Sequence, residues 1–285
     1  MLKTKRFVLF LLVLGLVFFS AGAPDAAGED APSPEAGKKV YIYPNLIING
    51  DDRMVVSNPE SFPFSCITFM DVICQCGCGW ECSGSLVGNG HTVLTGAHCV
   101  YCAEHSAPAE SIIFYFGYHS YHKNLCRYDG HWSLFAGTTF ETHEYSFQDD
   151  WAVIRLDEDV GSQTGFLQPL CGISEEEALS PANRILGYSA GALYMDQGPL
   201  QLMDETHFLY AMDQDSGASG GPILNQENQI IGIVIGHLEE DDGSQYNVGH
   251  RLTPEILGVI EESGKLSSDI FSSPPGQVRF KFSRP

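Results

Sequence analysis

Apolar residues along this chain fall into one unbroken block and then into many short groups. The block runs from Phe7 to Phe19, follows the basic residues Lys3, Lys5 and Arg6, and gives way to the small residues Ser20 to Ala23. A basic head, a short apolar stretch and a small-residue exit predict a signal peptide over 1–22, the alternative being a signal anchor. From Phe62 onward the apolar groups are short, are broken by Gly, Asn, Asp and Pro, and keep no helical repeat over a long window. That pattern predicts an all-β protein. HTVLTGA from His91, SIIFYFGY from Ser111, WAVIRL from Trp151 and QIIGIVIG from Gln229 read as strands, and PILNQENQII from Pro222 reads as a hairpin with a polar turn at Asn225 to Asn228. One helix is predicted over 253–263. Thr253 is its cap, Pro254 suits the first turn, Ile256, Leu257 and Ile260 share a face, and Gly264 can end it.

Composition narrows the class. The chain has 285 residues, enough for one large β protein, and its 30 glycines suit many turns. A formal net charge of -21 repels nucleic-acid phosphates and anionic membranes, so neither is an expected partner once the signal is removed. Residues 23–46 are rich in Ala, Pro and acidic residues with little to pack, and are predicted to be disordered, either a spacer or a propeptide. The tail, 264–285, carries Ser-Ser, Pro-Pro and an alternating QVRFKFSRP; it is expected to be solvated, the alternative being a strand that docks on an edge or occludes a cleft. There is no Asn-X-Ser/Thr acceptor for N-linked glycosylation.

Nine cysteines in a chain bound for secretion predict disulfides, with at least one thiol left over if every other cysteine pairs. The dense run CQCGCGWEC from Cys74 could instead hold a soft metal ion. It lacks paired CxxC knuckles, and an oxidising compartment favours disulfides, so no metal and no other cofactor is expected.

The run Ser216-Gly-Ala-Ser-Gly-Gly-Pro222 sets Ser219 in a glycine frame that can present its hydroxyl while backbone N–H groups face the same point. Upstream lie TGAHC, with His98, and DDWAVIRL, with Asp150. A serine hydroxyl attacks at neutral pH when a base takes its proton, and an imidazole titrates near the working pH. A buried carboxylate holds that imidazole in one tautomer and stabilises it once charged. The tetrahedral oxyanion needs preorganised donors, for which the N–H groups of Gly217 and Ser219 are the candidates. Each residue also has a plain reading: a structural histidine, Asp149 in place of Asp150, a turn serine. The order histidine, aspartate, serine in these contexts favours the catalytic one.

CSGSLV from Cys82, TGAHC, DWAVIRL and GASGGP resemble the trypsin and chymotrypsin superfamily of serine proteases. IINGDDRMVVSNPESFPFSCITF from Ile47, GSQTGFL from Gly161 and ILGYSAG from Ile185 are similar to its glutamyl endopeptidase-like branch, and the resemblance spans roughly residues 47–262. It implies two antiparallel β-barrels of chymotrypsin type, an N-barrel over about 47–165 and a C-barrel over about 166–252, with the helix after them. His98 and Asp150 would come from the first barrel and Ser219 from the second. It further implies a secreted serine endopeptidase acting on protein or peptide substrates, with protease inhibitors as a second class of partner. A Cys82–Cys99 bridge would tie the strand before His98 to the turn after it. The other seven, Cys66, Cys74, Cys76, Cys78, Cys102, Cys126 and Cys171, follow no pairing the resemblance supplies. Maturation would fall before Ile47, with the dibasic Lys38-Lys39 as a rival site.

Some positions depart from the family. Glutamate-cleaving members carry a histidine in a GIH arrangement on the wall of the primary pocket, where this chain has Gly232-Ile-Val234. Asp213, six residues before Ser219, falls where trypsin-like enzymes hold the pocket-base aspartate and would select Arg or Lys; alternatively Asp213 and Asp215 are solvated loop acids. The preference before the scissile bond is therefore open between Arg or Lys and Glu. His237, near the same wall, is either a polar contact or an exposed turn residue. Ala218 replaces the aspartate that pairs with a new amino terminus, and Ile235-Gly236 replace the serine that supports the triad carboxylate, so Asp150 needs other donors. An inert homologue acting as a secreted binding protein is the competing function; such homologues commonly lose a triad residue, and all three are present here.

Overall fold

Strands account for most of the regular structure among the described residues, as the broken apolar pattern requires. The computed structural model describes residues 38–41, 46–48, 50–102, 105, 107–119, 123–137 and 149–265. The predicted signal peptide, most of the predicted propeptide and the tail from residue 266 lie outside them. In chain order the first half carries β1 (Lys38–Tyr41), β2 (Met54–Val55), β3 (Ile67–Ile73), β4 (Gly79–Leu86), β5 (Thr92–Thr95), β6 (Tyr101–Cys102), β7 (Ala107–Pro108), β8 (Ser111–Phe116), β9 (Cys126–Tyr128), β10 (Trp132–Gly137) and β11 (Ala152–Leu156). The second half carries α1 (Gly161–Thr164), α2 (Glu175–Ala178), β12 (Arg184–Ser189), β13 (Ala192–Gln197), β14 (Gln201–Leu202), β15 (His207–Tyr210), β16 (Pro222–Leu224), β17 (Ile230–Glu240), β18 (Gln245–Arg251) and α3 (Pro254–Lys265).

Two antiparallel sheets result. The first runs β10-β11-β5-β4-β3-β8-β9, and the second runs β14-β15-β18-β17-β16-β12-β13-β2 with β1 added against β17. β6 and β7 form a small separate ribbon. The predicted strands fall in β5, β8, β11 and β17, and the predicted hairpin joins β16 to β17. There Asn225 N–H donates to Gln229 O and Asn228 takes a φ of 61°, which asparagine tolerates better than most residues.

Each sheet buries its own apolar face, with Met70, Val93, Phe114 and Ile154 in the first and Ile185, Phe208, Ile223 and Val234 in the second. A third cluster joins them. In it Tyr188 of β12, fully buried, sits edge-on to Phe69 and Tyr118 of the first half, and its hydroxyl accepts the Tyr118 N–H at 3.0 Å. The edge-to-face geometry is the favoured one for aromatic pairs, so this tyrosine both fills and orients the junction.

Thr253 caps α3 as expected: Ile256 N–H donates to its Oγ1 and Leu257 N–H to its main-chain oxygen. Ile256 and Ile260 are buried and Leu257 is half-buried. Gly264 does not end the helix, which continues to Lys265, because Ser263 is buried and bonded to the Thr92 hydroxyl, holding the last turn against β5. No helix among the described residues is long and apolar enough to cross a membrane.

Cys82 and Cys99 are bridged, and Cys74 is bridged to Cys102. Two disulfides are fewer than full pairing would give. Cys66 is buried, Cys76 and Cys78 lie exposed at the β3–β4 hairpin tip, and Cys126 and Cys171 are half-buried, so these side chains occupy different environments. Burial pushes the Cys66 thiol up to about 12, which keeps it protonated and unreactive. The Cys82–Cys99 bridge closes a separation of 17 residues. Replacing both cysteines by serine is expected to lower unfolding stability by about 3 kcal/mol, read from urea melts.

Candidate active site

Strand register assembles the first part of the site. β5 pairs with β11 so that Thr95 lies opposite Ala152, which sets the residues just after β5 beside those just before β11. The turn Ala97–Cys99 follows Gly96, where a Cβ would stand 3.0 Å from the His98 ring; glycine leaves the imidazole its place. His98 Nδ1 then lies 2.5 Å from Asp150 Oδ2, and His98 main-chain N–H donates to Asp150 Oδ1 at 2.9 Å. Asp150 is fully buried, whereas Asp149 is exposed, so Asp150 is the carboxylate on the ring. The donor that Ile235 and Gly236 cannot supply is the histidine's own backbone. With Nδ1–H directed at Asp150, the neutral ring keeps its lone pair on Nε2.

The second sheet brings the serine. Ser219 precedes β16 in a turn fastened to β17 just after it: Gly220 N–H donates to Val234 O at 2.8 Å, and Val234 N–H donates to Gly221 O at 2.9 Å. At Gly220, φ is 79° and a Cβ would meet Thr95 Oγ1 at 2.1 Å and Ser83 O at 2.3 Å, so both conformation and space demand glycine.

Ser83 of β4 locks the sheets together here, and sequence reasoning missed it. Its N–H donates to Ser219 O (2.8 Å), its hydroxyl to Gly217 O (2.8 Å), and its Oγ accepts Tyr188 N–H (2.8 Å). The only signal was its place in CSGSLV. Cys99 Sγ lies 3.6 Å from His98 Nε2 and 3.4 Å from Ser219 O, so the Cys82–Cys99 bridge backs both the imidazole and the serine turn.

The three pocket candidates fare differently. Val234 is fully buried and holds the serine turn through its backbone. His237 is 6% exposed within β17, not in an exposed turn, because the apolar run of that strand continues past Gly236. Asp213 is no solvated loop acid: it is 2% exposed, with Oδ1 accepting Ile48 N–H at 2.6 Å and Oδ2 accepting Asp52 N–H at 3.1 Å. Asp215 is half-buried and accepts the Ser189 hydroxyl. Leu46 is held as well, its N–H by Asn247 Oδ1 and its carbonyl by Gln214 N–H and Asn247 Nδ2. The chain around Ile47 is thus strapped down. Asp196, close to Asp52 and Asp213, has its carboxyl pushed up by burial and by those neighbouring charges. Replacing Asp213 by alanine removes two charge-assisted bonds and is expected to cost about 3 kcal/mol in denaturant unfolding.

A histidine–aspartate pair on one antiparallel sheet and a glycine-framed serine turn on the other define a chymotrypsin-like serine peptidase. The model of the trypsin-like peptidase domain matches residues 82–233, over half the chain. The protein belongs to that family and is a serine-type endopeptidase. It is similar to the glutamyl endopeptidase of Bacillus licheniformis, 24% identical over 252 residues, 84% of this chain and 75% of that protein. It is also similar to a Bacillus subtilis protein named extracellular metalloprotease, 24% identical over 228 residues, 77% of this chain and 70% of that one. Among solved structures a Glu endopeptidase aligns with a TM-score of 0.62 at 22% identity over 76% of this chain and 99% of its own. Anisep, a protease of Arthrobacter nicotinovorans, aligns with a TM-score of 0.56 at 16% identity over 70% of this chain and 95% of its own. These two likenesses concern the fold. The metal named for the Bacillus subtilis relative finds no matching donor set at His98, since the sulfurs beside it are joined to each other and offer no thiolate.

Proposed function

We propose that this protein is a secreted serine endopeptidase, made as a precursor, in which Ser219 is the nucleophile, His98 the general base and acid, and Asp150 the group that orients it. The observation that carries the reading is the 2.5 Å contact of His98 Nδ1 with Asp150 Oδ2, on the flank of the disulfide that also touches the serine turn. Ser219 Oγ attacks the peptide carbonyl as His98 Nε2 takes its proton, and the N–H groups of Gly217 and Ser219 receive the oxyanion. His98 then returns the proton to the leaving amine, an acyl-enzyme forms, and water repeats the sequence to release the acid. Secretion is supported by the apolar leader after three basic residues, by two disulfides and by the name of the extracellular Bacillus relative.

Residue preference divides on Asp213. Arg or Lys selection needs its carboxylate aimed at a substrate cation, and its bonds to Ile48 and Asp52 weigh against that. Glu selection comes from the Bacillus licheniformis relative, against which stands Val234 in the pocket wall. Mass-spectrometric cleavage profiles of the form beginning at Ile47, and of its Ser219→Ala variant, on a complex peptide library test the proposal. Serine-dependent cuts support the enzyme, and the residue before each cut settles the preference. Equally blank profiles from folded protein would reject the endopeptidase reading in favour of a binding role.

A further inference from the structure

β17 changes partners along one flank. On the other flank it pairs with β18, from Gly232 opposite Arg251 to Glu239 opposite Gln245. On the changing flank it meets β16 and then, at Val234, the serine turn itself. Immediately beyond, the same flank carries β1, antiparallel, with Tyr41 opposite His237, Val40 opposite Leu238, Lys39 opposite Glu239 and Lys38 opposite Glu240. β1 therefore runs toward the serine turn. Its near end, at His237, is three residues from Val234, roughly 10 Å of strand.

The hydrogen-bonding sense follows from one contact. Glu240 N–H donates to Ser244 O at 2.9 Å, so Glu240 and Leu238 turn their main-chain groups toward β18. By the alternation of an antiparallel strand, His237 and Glu239 turn theirs toward β1. Without β1 these groups form an open edge beside the serine turn, a template for any extended chain. The register also sets the Lys38 and Lys39 positions opposite Glu240 and Glu239.

A cut before Ile47 would release β1. It is not needed to place the residues after the cut, because the Ile48 and Asp52 bonds to Asp213 are already made in the uncut chain. Ala218, for its part, offers no carboxylate to a new amino terminus. What the fold does show in the uncut chain is an occupied edge.

We propose that Lys38–Tyr41 is a built-in occupant of the β17 edge, a propeptide strand that denies extended chains access to the serine turn until the segment before Ile47 is removed. This rests on the endopeptidase reading above. The rival Lys38-Lys39 site lies inside the paired strand, so cutting there requires the strand to leave the edge first.

Amide hydrogen exchange is measured on the Ser219→Ala protein in two forms, residues 23–285 and residues 47–285. The amides of His237 and Glu239 are expected to exchange at least tenfold faster in the shorter form, while those of Leu238 and Glu240 hold their rates; equal rates in the two forms overturn the proposal. With Ser219 intact, initial hydrolysis of an eight-residue peptide by uncut precursor is expected at least tenfold below that of the Ile47 form. Lys39→Pro, which removes a strand N–H, should raise the uncut precursor's rate by a similar factor. A precursor as fast as the Ile47 form, or one that Lys39→Pro leaves unchanged, overturns the block. An Ile47 form that hydrolyses nothing while the exchange difference persists sinks the endopeptidase reading and leaves the strand contact standing.

Discussion

Replacing Ser219 by alanine is expected to lower kcat by about 10⁶-fold and to leave the melting temperature within a degree or two of the parent, the loss that follows if Ser219 is the nucleophile. The change deletes one oxygen. The turn that carries it is held by main-chain bonds, Ser83 N–H to Ser219 O and Gly220 N–H to Val234 O, which alanine keeps. Ser219 is 5% exposed, so the substitution removes a small buried hydroxyl without opening a large cavity. Peptide hydrolysis compared with melting on the same preparations checks it. A variant that keeps more than about a hundredth of parental turnover would mean that another group attacks the carbonyl, since the remaining hole and binding contacts cannot supply that rate.

Asp150→Asn is expected to lower kcat by about 10⁴-fold with little loss of fold. The amide keeps an oxygen for the His98 main-chain N–H that Asp150 Oδ1 now accepts. It places an NH₂ group against Nδ1, however, which stabilises the tautomer whose proton sits on Nε2, and that ring cannot take a proton from Ser219. Asp150→Ala is the less informative change, because it also strands a buried N–H and costs about 1–3 kcal/mol of stability. Asp149→Asn serves as the internal control. Asp149 is exposed, and its replacement should leave the rate within about twofold; a large loss there would move the role away from Asp150.

Local chemistry explains why much of the fold was legible. β5, β8, β11 and β17 are short apolar runs bounded by turn residues, and the Asn225 to Asn228 turn and the Thr253 cap act through neighbours within a few positions. The His98, Asp150 and Ser219 contexts were legible as short motifs in a set order, with Gly96 leaving room for the His98 ring two residues on. Even there α3 runs on past Gly264, because Ser263 answers to Thr92, 171 residues away.

Patterns close along the chain thus carry the strand-rich character, the caps and turns, and the order of the site's residue types. Which groups meet follows only from the folded chain. Ser83 reaches Gly217 and Tyr188 across separations of 134 and 105 residues, Asp213 reaches Ile48 across 165, Cys74 finds Cys102 rather than the nearer Cys76 or Cys78, and β1 finds the flank of β17. Asp213 shows the difference most plainly, for its spacing from Ser219 suggested a pocket base, while the folded chain brings two backbone N–H groups to a carboxylate that burial would otherwise leave unsatisfied. Pairing of that kind depends on strand register and sheet closure, which fix distances between residues that no local pattern relates.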